Sequence, residues 1–326
     1  MSDTDLGVPT EAEVLGYFER LSNWGRWGED DQRGTLNTIT PQKRVEAAGL
    51  VESGEVVSCA WDIDFKAAVD HVTGTPQRFM LATGQGLLEP GRVLRPEMTE
   101  PPRWAGASEH IGLAFHGYSV THLDALSHYF WDGQMYNGKP AAWVSSREGA
   151  TWHAMNAVPE GIVTRGVLLD VAAARGVDWL EPGEGVLPAD IAAAERRQGV
   201  AVERGDAVLL RTGYGKRKRQ RGPDDTAKEG RAGWHVACTP WMHQREVAMI
   251  GCDTAQDVHP SGYDQLRSPV HAVGIVAMGL WLLDNCDLEG LAEVCEAKGR
   301  WEFLFQLAPL RLAGVTGSPV NPLAMF

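Results

Sequence analysis

The chain has 326 residues, 44% apolar and 22% charged, enough to bury a sizeable core and unlike a disordered tail, a collagen-like rod or a small disulfide scaffold. A formal charge of −13 repels phosphate backbones and anionic lipids, so neither nucleic acid nor a membrane surface is expected as a partner. Five scattered cysteines without C-x-x-C spacing, no apolar run longer than Val273–Leu283, and an opening at Met1–Gly7 that carries acids instead of a basic region point to a cytoplasmic protein.

Thr10, followed by Glu11 and Glu13, predicts a capped helix with Val14, Leu15, Phe18 and Leu21 on one face. Thr40-Pro41 opens a second helix running to Leu50. Residues 1–50 therefore read as a helical N-terminal arm. The exposed-looking Trp24 and Trp27 in the turn-rich segment between the helices fit an arm packing on a partner subunit, in a homodimer or homotetramer. From Gly54 the pattern changes to short β-like runs, Val56–Ile63 and Gly112–Val120, separated at 64–111 by an irregular Gly- and Pro-rich stretch of the kind that forms binding loops. Gly166–Val171, Ala207–Arg211 and Val247–Cys252 then read as buried strands alternating with helices such as Pro188–Gln198. The basic run Lys216–Arg221 reads as a solvated loop. Without a repeat or a long linker, the expected fold class is α+β (mixed α/β), one domain over 1–326 with a central mixed β-sheet or barrel-like β core flanked by helices.

Chemistry concentrates at His110, His116, His122 and His128, four of the ten histidines. If the chain is extended at 122–124, His122 and Asp124 point to one face and form a usable ligand pair for a borderline divalent ion such as Zn2+ or Mn2+. His128 follows one turn later, as a further ligand or a proton carrier. Twelve tryptophans outnumber the eight Phe and six Tyr; besides filling the core, some of them suit the wall of a pocket for a flat ligand. His235, Asp253, Asp257 and His259 follow strand ends, where pocket residues are often placed, and His235 and Asp257 are the candidates kept from that group.

The run Thr121-His122-Leu123-Asp124 with His128 resembles the H-x-G-T-H-x-D-x-P-x-H signature of the metal-dependent cyclase-like hydrolases, which include kynurenine formamidases and isatin hydrolases. Trp24–Gly28, Gly34–Asn37, Tyr136-Asn137-Gly138, Arg211–Tyr214 and Gly317–Pro322 are similar to the longer branch of that family, so the resemblance spans nearly the whole chain. It implies the swivelling β/β/α cyclase-like fold, one divalent metal ion, and hydrolysis of an aryl formamide, cyclic amide or lactone by metal-activated water. His122 and Asp124 would be ligands, joined by His271 and by Asp284, which stands where the family has Glu, and His128 would be the acid/base. The family's first ligand position holds Tyr118, a proton-donor candidate. His116, two residues earlier with the same strand parity, would reach the metal through a bulge. Trp24, Trp27 and Trp61 would wall a small flat, aromatic or cyclic substrate, with Trp27 donated by a partner subunit. The same pocket also suits a non-hydrolytic cyclase, dehydratase or isomerase, or a binding protein on a decayed enzyme scaffold.

Overall fold

The apolar runs form the middle of one nine-stranded sheet. A computed structural model describes residues 7–84, 104 and 106–326. The sheet order is Val56–Ser58, Leu323–Met325, Glu302–Leu307, Ile162–Asp170, Ala207–Arg211, Met249–Cys252, Trp281–Asp284, His122–Asp124, Gly317–Pro319. The four strands from Ile162–Asp170 to Trp281–Asp284 run parallel, and every other pairing in the sheet is antiparallel. Central parallel strands are covered on both faces, which explains why Ala207–Arg211, Met249–Cys252 and Trp281–Asp284 are buried along their whole length. The antiparallel Glu302–Leu307 strand instead alternates between buried and half-buried residues. The sheet is curled and flanked by helices, a mixed α/β architecture.

Two helices show how the flanks attach. Pro188–Gln198 begins on proline, buries Pro188, Ile191 and Ala194, and ends at a left-handed Gly199. Pro269–His271 continues as the wholly buried π-helix Ala272–Met278, stopped by Gly279 at φ 66°. A Cβ on Gly279 would lie 2.6 Å from the Tyr136 ring, so both conformation and space require glycine there.

The N-terminal arm begins as the sequence predicts, with a reciprocal capping box between Thr10 and Glu13. Within the chain it packs on the core and on the helix end that follows His271. Val14, Tyr17 and Leu21 join the core. Asn23 N donates to Ala277 O at 2.9 Å, Asn23 Nδ2 to Met278 O at 2.9 Å and Trp24 Nε1 to Val276 O at 2.7 Å. Carbonyls at a helix end lack partners of their own, and the arm supplies the missing donors.

Three expectations need correction. The stretch 64–111 is not wholly irregular, because Gln77–Ala82 pairs with Ser108–Gly112 as a hairpin. Gly112–Val120 is not a strand; the chain from 113 to 121 is irregular. Lys216–Arg221 is not a solvated loop but belongs to the helix Tyr214–Arg221. The buried Asp253 carboxylate accepts the N–H groups of Thr212, Gly213 and Tyr214 at 2.9–3.0 Å and so nucleates that helix. Its cations find carboxylates, Arg217 pairing with Asp224 and Lys218 with the buried Asp70 at 2.8 Å. Residues 1–6 of the acidic opening, and 85–103 and 105 of the expected loop stretch, lie outside the described residues. Among the described residues no helix is long and apolar enough to cross a membrane.

His153 links the fold to pH. It is fully buried, with Nε2 2.9 Å from Tyr136 O and Nδ1 without a partner. Burial lowers its pKa to about 4. An unfolded chain protonates this ring near pH 6.5, so between pH 6.5 and 4 the unfolded state binds more protons and stability falls as pH falls. The expected loss from this residue is about 3 kcal/mol across that window. Urea unfolding of the native chain and of His153→Gln at pH 7, 5.5 and 4.5 checks it: the variant should show the flatter dependence, and equal slopes would contradict the assignment.

Candidate metal centre

The three-residue strand His122–Asp124 lies between Trp281–Asp284 and Gly317–Pro319. Alternation puts His122 and Asp124 on one face, and the antiparallel register sets Asp284 directly opposite His122 and Leu282 opposite Asp124. Residues 160 positions apart in the chain thereby share one spot. His271 joins them from the helix Pro269–His271.

His122, Asp124 and Asp284 set ligand atoms within 4.8 Å of one another, and His271 adjoins them. His122 Nε2 lies 3.5 Å from Asp124 Oδ1 and 4.0 Å from Asp284 Oδ2; His271 Nε2 lies 3.5 Å from Asp124 Oδ2 and 3.7 Å from Asp284 Oδ2. Ligand bonds of about 2.0–2.2 Å in a tetrahedron require edges of roughly 3.3–3.6 Å; the two 3.5 Å separations match, and those of 3.7 and 4.0 Å are wider. Asp124 is 1% exposed, yet its oxygens have no well-aligned hydrogen bond, only facing imidazoles such as His116 Nδ1 at 3.0 Å from Oδ1, and Asp284 Oδ1 is also buried without one. A buried carboxylate without well-aligned hydrogen bonds needs a positive partner. The donor set, two imidazoles and two carboxylates, fits a borderline divalent ion.

The imidazoles are turned for this role. His122 Nδ1 lies 2.8 Å from Val120 O and His271 Nδ1 lies 2.5 Å from Asp257 Oδ2, so each Nδ1 carries the proton and each Nε2 offers its lone pair to the cluster. Asp257 also accepts from Val270 N at 2.6 Å and His271 N at 3.2 Å, which ties the start of the helix to the ring that it orients. Electrostatics agree with a cationic centre. Burial pushes the Asp124 carboxyl up, but His128, His116, His271 and His122 outweigh it and hold its pKa well below the usual range. Burial likewise opposes a charge on His271, but the surrounding carboxylates of Asp124, Asp257 and Asp284 hold its pKa well above normal. Burial pulls His128 down to about 4, against the pull of Asp124.

The family profile for cyclases matches residues 37–256. The chain belongs to the cyclase family. A crystal structure described as a novel cyclase is 31% identical to this cyclase-family protein, covers 94% of it and 99% of its own chain, and superposes with a TM-score of 0.83. Isatin hydrolase A from Labrenzia aggregata, at 19% identity, 85% and 94% coverage and a TM-score of 0.56, shares the fold. So does a "predicted metal-dependent hydrolase" from Bacillus stearothermophilus, at 14% identity, 84% and 98% coverage and a TM-score of 0.51. No curated protein sequence matches the chain.

In this member of the cyclase family, His116 and His128 border the four-residue cluster. Because 113–121 is irregular, His116 needs no bulge: the loop brings its Nδ1 to 3.0 Å from Asp124 Oδ1, while Nε2 lies 3.1 Å from Thr316 Oγ1. Its ring stacks on His128 at 3.9 Å and 7°, and His128 Nε2 is 3.8 Å from Asp124 Oδ2. A cavity of about 250 Å³ opens beside these groups, walled in part by Tyr118, Tyr129, Thr73, Ser268 and Arg231.

Other candidates lie elsewhere. His235 is outside this cavity, and its Nδ1 accepts from Ala237 N at 3.1 Å as a helix cap. Asp257 does not line the cavity either; fully buried, it acts through His271. None of the three tryptophans lines it: Trp24 is tied to the π-helix, Trp27 packs under the Arg26 guanidinium, and Trp61 lies under Lys218 and Arg219 beside a separate cavity of about 690 Å³. Among the described residues of this chain, Tyr118 and Tyr129 supply the cavity's phenolic rings. Sequence reasoning missed Arg231, Tyr129 and Asn285. Asn285, left-handed at φ 56°, donates to Gly117 O and Val120 O and braces the histidine-bearing loop. Its only signal was its place directly after Asp284.

Asp257→Asn keeps the shape of the side chain but removes the charge that orients His271. It should weaken binding of Zn2+ or Mn2+ by about 10–100-fold in competition against a chelator. His235→Ala should leave that affinity unchanged, and an unaltered affinity in Asp257→Asn would refute the orienting role.

Proposed function

We propose that the protein is a metal-dependent hydrolase that opens an amide or lactone carbonyl of a small, flat, aromatic or cyclic substrate. The observation that carries this reading is the buried Asp124 carboxylate, without a well-aligned hydrogen bond at either oxygen and ringed by imidazole nitrogens and Asp284. The fold shared with isatin hydrolases and with a protein titled a metal-dependent hydrolase supports it. His122, Asp124, His271 and Asp284 would hold one Zn2+ or Mn2+ ion. Such an ion, when bound, supplies Lewis acidity, polarising a carbonyl and making water a competent nucleophile near pH 7.

The protein's own side chains do the rest. His128, at the cavity wall and about a quarter exposed, is placed to take a proton from the attacking water and to deliver it to the leaving nitrogen or oxygen. The water oxygen forms the new bond to the carbonyl carbon as the C–N or C–O bond breaks, and the transferred proton stays on the leaving atom. His116, stacked on His128 and bonded to Thr316, fixes the plane in which that ring works. Tyr118 and Tyr129 offer aromatic surface to a flat substrate.

His128→Gln should lower kcat by about 10²–10⁴-fold while metal content stays unchanged. Chelation should abolish turnover of a panel of lactones, cyclic amides and aryl amides, and product formed in ¹⁸O-labelled water should carry one labelled oxygen. Full activity in both the variant and the chelated protein would overturn the reading; turnover without label would mark an isomerase or dehydratase.

A further inference from the structure

One cation in the cavity wall has no counter-charge. Arg231 is 7% exposed. Its Nε donates to Asp257 O at 2.8 Å, and its guanidinium carbon lies 4.9 Å from the centre of the Tyr118 ring. Backbone hydrogen bonds with His259 in both directions, at 2.9 and 3.0 Å, fix its Cα. Among the described residues no carboxylate oxygen comes within 4.0 Å of the guanidinium, and Nη1 and Nη2 donate no hydrogen bond. The other buried arginines are paired: Arg211 with Asp170 and Glu289, Arg217 with Asp224. Arg231 has the same degree of burial and lacks that compensation.

A guanidinium withdrawn from water and left with both Nη groups free is the fork that a carboxylate fills with two parallel hydrogen bonds. Arg231 lines the same cavity of about 250 Å³ as His122, His128, His271 and Asp284. Apart from the histidines, Arg231 and Asp284 are the charged side chains on that wall. Once Asp124 and Asp284 are offset by a divalent ion, the guanidinium leaves the pocket net positive. Stacking on Tyr118 holds the fork in place without spending an Nη donor.

Resting on the hydrolase reading, we propose that the substrate is an anion, a cyclic or aryl amide or lactone that carries a carboxylate, and that Arg231 selects it by pairing Nη1 and Nη2 with that carboxylate. Arg231 is thus a specificity residue, distinct from the groups that handle the reacting carbonyl.

The test separates binding from turnover. Calorimetry measures the affinity of benzoate and of its neutral isostere benzamide for the metal-loaded native protein, Arg231→Gln and Arg231→Lys. The native protein should prefer benzoate by roughly 30-fold or more, Arg231→Gln should lose the preference while still binding benzamide, and Arg231→Lys should keep part of it. Retained benzamide binding shows that the variant pocket is intact. A preference for benzoate that survives in Arg231→Gln assigns the anion to the metal centre and overturns the proposal, as does equal loss of both ligands, which makes Arg231 a purely structural residue. Because no turnover is measured, failure of the hydrolase reading appears separately, in the labelled-water experiment. As a second readout, a lactone bearing a carboxylate should lose kcat/KM in Arg231→Gln by a similar factor, through KM, while its methyl ester should change less than about threefold.

Discussion

The Asp124 carboxylate is the constraint around which the site is arranged. It is buried, without a well-aligned hydrogen bond and central to four imidazoles, an arrangement that a folded chain tolerates only if positive charge is supplied there. Each neighbouring group is held from behind: His122 by Val120 O, His271 by Asp257, and His116 by Thr316. The backing groups come from three separate stretches of chain, so the cluster forms only when the sheet has closed. Metal affinity and fold stability are therefore linked, since an ion binding only the folded arrangement favours it by mass action.

The sheet topology explains why the cluster forms where it does. Open sheets with parallel strands gather ligand-handling loops at the C-terminal ends of those strands. Here the chain after Cys252 supplies Asp253 and Asp257, and the end of the Trp281–Asp284 strand supplies Asp284 and the bracing Asn285. The next strand, His122–Asp124, runs the opposite way, so its beginning meets the end of Trp281–Asp284. One antiparallel strand beside a parallel block thus lays two ligands against a third. The buried π-helix then anchors the N-terminal arm at its far end, while the short helix Pro269–His271 leading into it carries His271 to the cluster.

Local pattern was readable where it determined local geometry. The i, i+2 spacing of His122 and Asp124 fixes a shared face, and Thr10 with Glu13 fixes a cap, whatever the rest of the chain does. The buried parallel strands were readable as continuous apolar runs for the same reason. What depended on distant partners was not readable. His116 was placed by strand parity, but its segment is not a strand, and the loop is held by Asn285, 169 positions away. Asp257 looked like a pocket residue because its contact with His271 exists only after the chain turns back on itself. The tryptophans looked free until their neighbours were known: a backbone carbonyl for Trp24, a guanidinium for Trp27, and Lys218 with Arg219 for Trp61. The basic run looked solvated because its buried partner Asp70 comes from 148 positions away, although Asp224 follows the run directly.

The departure at Tyr118 follows from the same geometry. In the signature that this segment resembles, the residue four before His122 is a histidine ligand; here it is a tyrosine, and the loop brings His116 to within 3.0 Å of Asp124. A ring freed from ligation can turn its face to the wall, where it lies against the Arg231 guanidinium. A histidine held to an ion at that position would have its ring plane dictated by the ion, and a guanidinium stacked on it would stand next to a dication. Tyrosine removes that conflict. Its neutral, electron-rich face favours a cation, and its position between the loop and Arg231 brings a fixed positive charge into the cavity without a carboxylate to cancel it. The altered motif position and the unpaired arginine, 113 positions apart, meet only because the fold brings them together.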